Sequence, residues 1–335
     1  MQDNINQIIS NALYVEKDNL AKNVKDIVKQ IYKVLVDNKD VIEDTNKIDK
    51  KNDNGFIIDF NIIENIISNI EKEKVFYGDV TLSEKDDIKK IIYGKQIMDY
   101  GNVVVISDGN PYITIEMIIR NIMAGNTTIL SNSGYMYGTN QLLVQLIQSV
   151  LEQFNISKYL VQIYLSEEFD DILANFANID LVVCVGDHDL QRLVLNKSKN
   201  ETIVSGYENF DLYIEDLKYI DFLNKILDLG VNIQLYLNSN LGVDVDEAII
   251  VDSIDEAVAQ INYNGNRYSS AIFTNSSENA SKFIREVKSK QVTVNTSPTI
   301  ERIFDIKQSY LVVEKTIIYP LELKFDGEGT KIDLN

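Results

Sequence analysis

Val251 to Ser297 reads VDSIDEAVAQINYNGNRYSSAIFTNSSENASKFIREVKSKQVTVNTS. Short apolar runs alternate here with longer amphipathic ones. With the residues from Glu247 onward, the pattern predicts strands at Ala248–Val251, Ala271–Thr274 and Val292–Val294. Helices are predicted between them, at Ile254–Ile261 and Glu278–Val287. Strand and helix in strict alternation make a parallel sheet, because parallel neighbours need a crossover and the crossover is usually a helix. Its connections are expected to be right-handed.

The same alternation fills the chain upstream, from Gly101. Strands are predicted at Val103–Ile106, Thr127–Leu130, Leu160–Leu165, Asp180–Val185 and Thr202–Ser205. Helices are predicted at Ile113–Met123, Asn140–Phe154, Asp170–Phe176 and Leu190–Lys197. The fold class is therefore α/β: a Rossmann-like parallel lobe followed by a second, smaller α/β lobe. Residues 1 to about 40 show three- and four-residue apolar spacing and read as helix. The polar stretch Asn38–Asn54 reads as a helix end plus loop, and Ile62–Lys74 as a second amphipathic helix. Ser309–Phe325 alternates enough for a β-hairpin.

Composition removes whole classes of function. The 335 residues carry 32 basic and 51 acidic side chains, a net charge of −19. Such a field repels nucleic acid and anionic membranes. No apolar run approaches a bilayer span and the start has no signal-peptide pattern, so a cytoplasmic protein is expected. One cysteine, Cys184, excludes an internal disulfide and a thiolate zinc site. One histidine, His188, excludes histidine metal clusters, and no metal site is expected.

Residue by residue, the chain resembles the gamma-glutamyl phosphate reductases of the aldehyde dehydrogenase superfamily. Across Val251–Ser297 it keeps Asn264, Gly265, Ser269, Ala271, Ile272, Thr274, Asn279, Ala280, Phe283, Glu286, Val287, Val294 and Asn295 of the family's run. GNVVVISDGNPYIT resembles the family's lGVIGVIYEaRPNVT, with Pro111 and Thr114 kept. AGNTTIL resembles tGNavILRGG, with Gly125, Asn126, Ile129 and Leu130 kept. The resemblance implies a cofactor-type lobe with N-terminal helices (1–230), a reduced catalytic-type lobe (231–298) and a C-terminal segment (299–335). It also implies a small oligomerisation sheet built from 74–102 and the C-terminal hairpin, hence a homo-oligomer.

That family needs a thiolate, which attacks an acyl phosphate or aldehyde carbon before a nicotinamide exchanges hydride with the adduct. The stretch where the resemblance places it, Val231–Gly242 (VNIQLYLNSNLG), holds no cysteine. From Asn238 the chain passes almost directly to Ile249, so much of the catalytic lobe is expected to be missing. Two nucleophiles are candidates in its place: Cys184, which matches the proline of the family's iPRGG stretch, and Ser239. For Cys184 the alternative is a buried, inert thiol. His188 is either a ligand contact or a solvated surface residue.

The resemblance nominates Pro111, Asn126, Ser131, Gly186 and Gly206 as cofactor-binding residues, for NADP or NAD if the ancestral site is retained. Against retention, the family's phosphate loops are changed: SNSG, CVGD and VSGYE replace them, and Asp187 adds a carboxylate that repels pyrophosphate. No cofactor is therefore expected. The reading of the whole is a non-catalytic scaffold or interaction protein. The alternatives are a glutamate-5-semialdehyde dehydrogenase of proline synthesis with a reorganised site, and a small-molecule sensor.

Overall fold

The computed structural model describes residues 5–53, 58–86, 91–132, 134–165, 169–186, 188–205, 210–220, 233–243, 245, 247–264, 269–289, 291–296, 306–320, 324–325 and 332–333. The chain divides into two compact units. The first takes residues 1–185, 189–204 and 306–335; the second takes 186–188 and 205–305.

The first unit begins with helices α1 (Ile5–Leu13), α2 (Asp18–Asp37), α3 (Lys39–Asp53) and α4 (Phe60–Lys72). Helix α3 corrects the sequence expectation of a loop over Asn38–Asn54. Ile42 and Asn46 are wholly buried one turn apart, and Lys39 pairs with Glu43 at i,i+4. A few buried side chains on one face outweigh poor overall hydropathy. Strands β1 (Val80–Asp86) and β2 (Ile91–Asp99) follow, then β3 (Asn102–Ser107), α5 (Pro111–Ala124), β4 (Thr127–Asn132), α6 (Tyr137–Gln153) and β5 (Val161–Leu165). The series ends with α7 (Asp170–Leu173), β6 (Leu181–Val185), α8 (His188–Lys197) and β7 (Glu201–Ser205).

Strands β3 to β7 form one sheet in the order β5-β4-β3-β6-β7. Strands β5, β4, β3 and β6 pair in parallel register. All residues of β3, β4 and β6 are buried, which is why they read as unbroken apolar runs. Helix α5 is buried along its whole length. Asn110 caps it, Pro111 occupies the position where a missing N–H costs nothing, and Gly125 ends it in the left-handed region. A Cβ at Gly125 would lie 2.4 Å from the Tyr77 ring, so the stop is also a close approach.

Asn126, next in sequence, is wholly buried. Its amide donates to Asn121 Oδ1 and to the Leu311 carbonyl, both at 2.9 Å. Its Oδ1 accepts from the amides of Tyr100 (2.8 Å) and Gly101 (3.3 Å). Arg120 on α5 is equally enclosed, bonding Glu116 at 2.8 Å and Glu73 at 2.9 Å. Glu73 also accepts the Gln308 amide, and the Gln308 side chain donates to the Arg120 carbonyl.

These contacts seat the segment that leads into β13 (Val312–Pro320). Strand β13 runs antiparallel to β2 from Val312↔Asp99 to Pro320↔Ile91, completing a three-stranded sheet with β1. The expected hairpin over Ser309–Phe325 is thus corrected: the partner of β13 is β2, far back in sequence. Lys324–Phe325 (β14) pairs instead with Ile332–Asp333 (β15).

The second unit is built on β8 (Phe210–Ile214), β9 (Ile233–Asn238), β10 (Ile249–Val251), β11 (Ser269–Phe273) and β12 (Gln291–Val294). All are parallel, in the order β10-β9-β8-β11-β12. Helices α9 (Ile254–Asn264) and α10 (Ser277–Glu286) supply Ile261 and Phe283 to one face, against Tyr213 and Tyr236. The other face carries Leu212, Leu235, Ala271 and Phe273. Strand β8 sits in the middle of this sheet, so the unit starts near Ser205, earlier than the boundary at 231 expected from sequence. No helix among the described residues is long and apolar enough to cross a membrane.

Removing the buried guanidinium strands two carboxylates and loosens the Gln308 anchor. Arg120→Ala is expected to cost about 3–5 kcal/mol, measured as a drop in urea midpoint with unchanged m-value.

Candidate functional site

In parallel sheets the carboxyl ends of the strands face one way, and ligands bind outside that edge. In the second unit this edge collects Glu215 after β8, Asn238 at the end of β9, Thr274 after β11 and Asn295 after β12. It includes the end of Val231–Gly242, the stretch where the resemblance places the family's thiol.

Glu215 is the centre of a closed network. Asn279 Nδ2 donates to both its oxygens, at 3.0 and 2.9 Å. The Thr274 hydroxyl donates to Oε1 and the Tyr213 hydroxyl to Oε2. Asn238 Nδ2 donates onward to the Tyr213 hydroxyl at 3.1 Å, while its Oδ1 accepts the Asn240 amide at 3.0 Å. Asn295, held at φ 54°, accepts the Thr274 amide and donates to the Thr274 carbonyl. Its side chain thus acts as one more rung of the ladder, and Asn tolerates that backbone region better than most residues. Burial pushes the Tyr213 phenol up to about 12; the Asn238 hydrogen bond opposes this and the Glu215 charge adds to it. A phenol so shifted transfers no proton near neutrality, and a carboxylate that accepts four hydrogen bonds from three side chains is committed as an acceptor. Ser239 is exposed in the short turn after β9.

At the opposite end of β8, Asp211 is buried. Burial raises its carboxyl to about 7, opposed by a hydrogen bond from Ser270.

In the first unit the corresponding edge is formed by the loop after β3 and the start of α6. The Gly109 amide donates to Ser107 Oγ (3.2 Å), the Asn110 amide to Asp108 Oδ1 (3.1 Å) and the Tyr112 amide to Asn110 Oδ1 (2.9 Å). Asn140 Nδ2 reaches across to the Gly109 carbonyl at 2.5 Å. A Cβ at Gly109, whose φ is 101°, would lie 2.3 Å from the Tyr135 carbonyl oxygen. From Gly101 to Asn140 the only cation in the sequence is Arg120, already held by its two carboxylates. Among the described residues from β3 to the start of α6, Ser131 Oγ, Asn132 Nδ2 and Asn140 Oδ1 are buried without a hydrogen-bond partner. The loop amides, however, are committed to the chain's own oxygens and the one cation is already paired, which does not fit a dinucleotide phosphate.

The predicted residues are scattered by the fold. Pro111 and Ser131 lie towards this carboxyl edge, Ser131 wholly buried in β4. Asn126 stands at the amino end of β4, away from the edge, with its side chain spent on structure. Gly186 follows β6, with its amide on the Ser205 carbonyl at 3.1 Å. His188 starts α8, and Gly206 lies outside the described residues. Cys184, the last residue but one of β6, is fully buried beside β3 near the carboxyl end of the strand, packed with Val104, Ile106 and Val182. Glu215 and Asn140 are not legible from sequence: a polar side chain in a polar run carries no mark of the group it will bond. Among the described residues no group of three or more metal-ligating side chains forms.

No family model matches the chain. Gamma-glutamyl phosphate reductase from Dictyoglomus thermophilum is 23% identical over 347 aligned positions, covering 85% of this chain and 82% of that protein. The chain resembles the gamma-glutamyl phosphate reductases. Other curated reductases align over 62–63% of their own length. The solved reductase from Thermotoga maritima superposes with a TM-score of 0.63 at 17% identity, over 95% of this chain and 98% of that one. An engineered glycolyl-CoA reductase solved with bound NADP+ gives a TM-score of 0.68 at 12% identity, over 95% of this chain and 97% of that one. The fold is therefore that of the aldehyde dehydrogenases and these reductases. Thr274, Asn279 and Asn295, through which the sequence resembles these reductases, tie the second sheet's edge together.

The Asp211 shift sets a pH dependence. Above the ordinary value of 3.8 the unfolded chain releases this proton while the folded one keeps it up to about 7. Across that window the folded state binds more protons, so stability falls as pH rises, by up to about 1.4 kcal/mol per pH unit, and then levels. Asp211→Asn is expected to remove this slope in denaturation curves taken from pH 4 to 8.

Proposed function

We propose that this chain is a reductase relative that binds, assembles or signals without carrying out thiol-dependent hydride transfer. One observation carries the reading: the sole cysteine is shut inside β6, fully buried among apolar side chains. A thiolate attacks only when it is ionised and reachable, and apolar burial opposes both. The edge of the second sheet supplies no substitute, because Asn238 is tied down and Glu215 is saturated by donors. Between Asn238 and Ile249 the described residues make one short turn, which supports a lobe too small to enclose an acyl intermediate. Self-association would use the three-stranded sheet, where Val313 and Ile318 of β13 are exposed. A cytoplasmic setting accompanies the reading.

The similarities favour a second reading more directly. Curated relatives carry the name gamma-glutamyl phosphate reductase, and one neighbour of the fold binds NADP+. On that reading the chain is an NADP-dependent reductase of an acyl phosphate or aldehyde in proline biosynthesis, with a reorganised site.

The two separate in one assay. Purified protein is offered glutamate-5-semialdehyde, phosphate and NADP+, and NADPH absorbance is followed. The first reading expects no rate above the blank, and expects Cys184 to react with a thiol reagent only as fast as the protein unfolds. A rate that persists in Cys184→Ala, or an acylated side chain found by mass spectrometry, establishes the second reading instead.

A further inference from the structure

We infer that the carboxyl edge of the first unit's sheet holds no dinucleotide because the chain has seated its own anion there, the carboxylate of Asp49. Helix α6 starts directly beyond β4, with Met136 as its N-cap in the left-handed region and no side-chain cap of its own. The cap comes from α3 instead. Asp49 Oδ2 accepts the Thr139 amide and the Thr139 hydroxyl, both at 2.7 Å. A Cβ at Gly138 would meet Asp49 Oδ1 at 2.9 Å, so the carboxylate lies directly on the first turn.

A helix start offers orphan amides and a positive dipole end, and phosphate or carboxylate fills it equally well. Here the carboxylate belongs to the protein. Its helix is fastened at a second point: Asn46 donates to Met136 Sδ at 3.6 Å and accepts the Ile58 amide at 2.9 Å. One residue beyond Thr139, Asn140 clasps the Gly109 carbonyl, which draws the loop after β3 onto the start of α6. Fixed negative charge, committed amides and a closed loop act together against a phosphate-bearing ligand. The N-terminal helices thereby become part of the sheet's edge rather than an appendage to it.

The inference deepens the functional reading, and the two can fail separately. NADP bound without turnover overturns this inference alone, whereas turnover with NADP overturns both. The test is thermal unfolding of the wild type and Asp49→Ala in matched buffers with inorganic phosphate, and of the wild type with millimolar NADP. The wild type is expected to show no NADP-dependent rise. Asp49→Ala is expected to melt about 2–4 °C lower, and to recover with phosphate by more than the general salt effect seen in the wild type. An NADP-dependent rise in the wild type overturns the inference. So does a variant that melts like the wild type, or one whose phosphate response equals it. Asp49→Ser, whose shorter side chain also vacates the helix end, gives the same readout if alanine does not fold.

Discussion

A single buried amide group holds the first unit in register. Asn126 faces the chain leaving β2, the end of α5 and the segment entering β13, and it has a bond for each. No apolar residue could replace it, because each partner is a backbone or amide group that burial would otherwise leave unsatisfied. Its neighbour Gly125 turns the chain so that this side chain can point inward. The Arg120 ion network does the same work one turn earlier, with charges in place of amides. Both fasten the C-terminal segment to α5, and the three-stranded sheet rests on that attachment.

The alternation of strand and helix was legible because both sheets are parallel and covered, which turns their strands into apolar runs bounded by polar turns. Register across long distances was not legible. Nothing local in Val312–Pro320 says that its partner is Ile91–Asp99 rather than an adjacent strand. Helix α3 was obscured because its burial rests on Ile42 and the polar Asn46, and one apolar position sets up no period. The position of β8 was hidden as well, since a strand's sheet is decided by its neighbours and not by its own residues.

The candidate sites teach a different lesson. The residues that carry the resemblance, Gly125, Asn126, Thr274, Asn279 and Asn295 among them, turn out to cap helices, extend ladders and close turns. What a reaction would need is a reachable nucleophile and amides open to a ligand. At the second unit's carboxyl edge the described polar groups are largely bonded to one another. At the first, the amides of the loop after β3 are bonded within the chain, while Ser131 Oγ and Asn132 Nδ2 stay buried without a partner. The similarity to the reductases and the burial of Cys184 are therefore compatible: they concern different residues.

The first unit is interrupted in sequence by the second, and its last strand lies beyond residue 305. On the ribosome, residues 205–305 are complete while β2 still lacks a neighbour on one side. An open strand edge is a place where chains stick to one another. The inserted unit can thus settle early, and the N-terminal part must wait, with that edge bare, until the final stretch emerges and closes it.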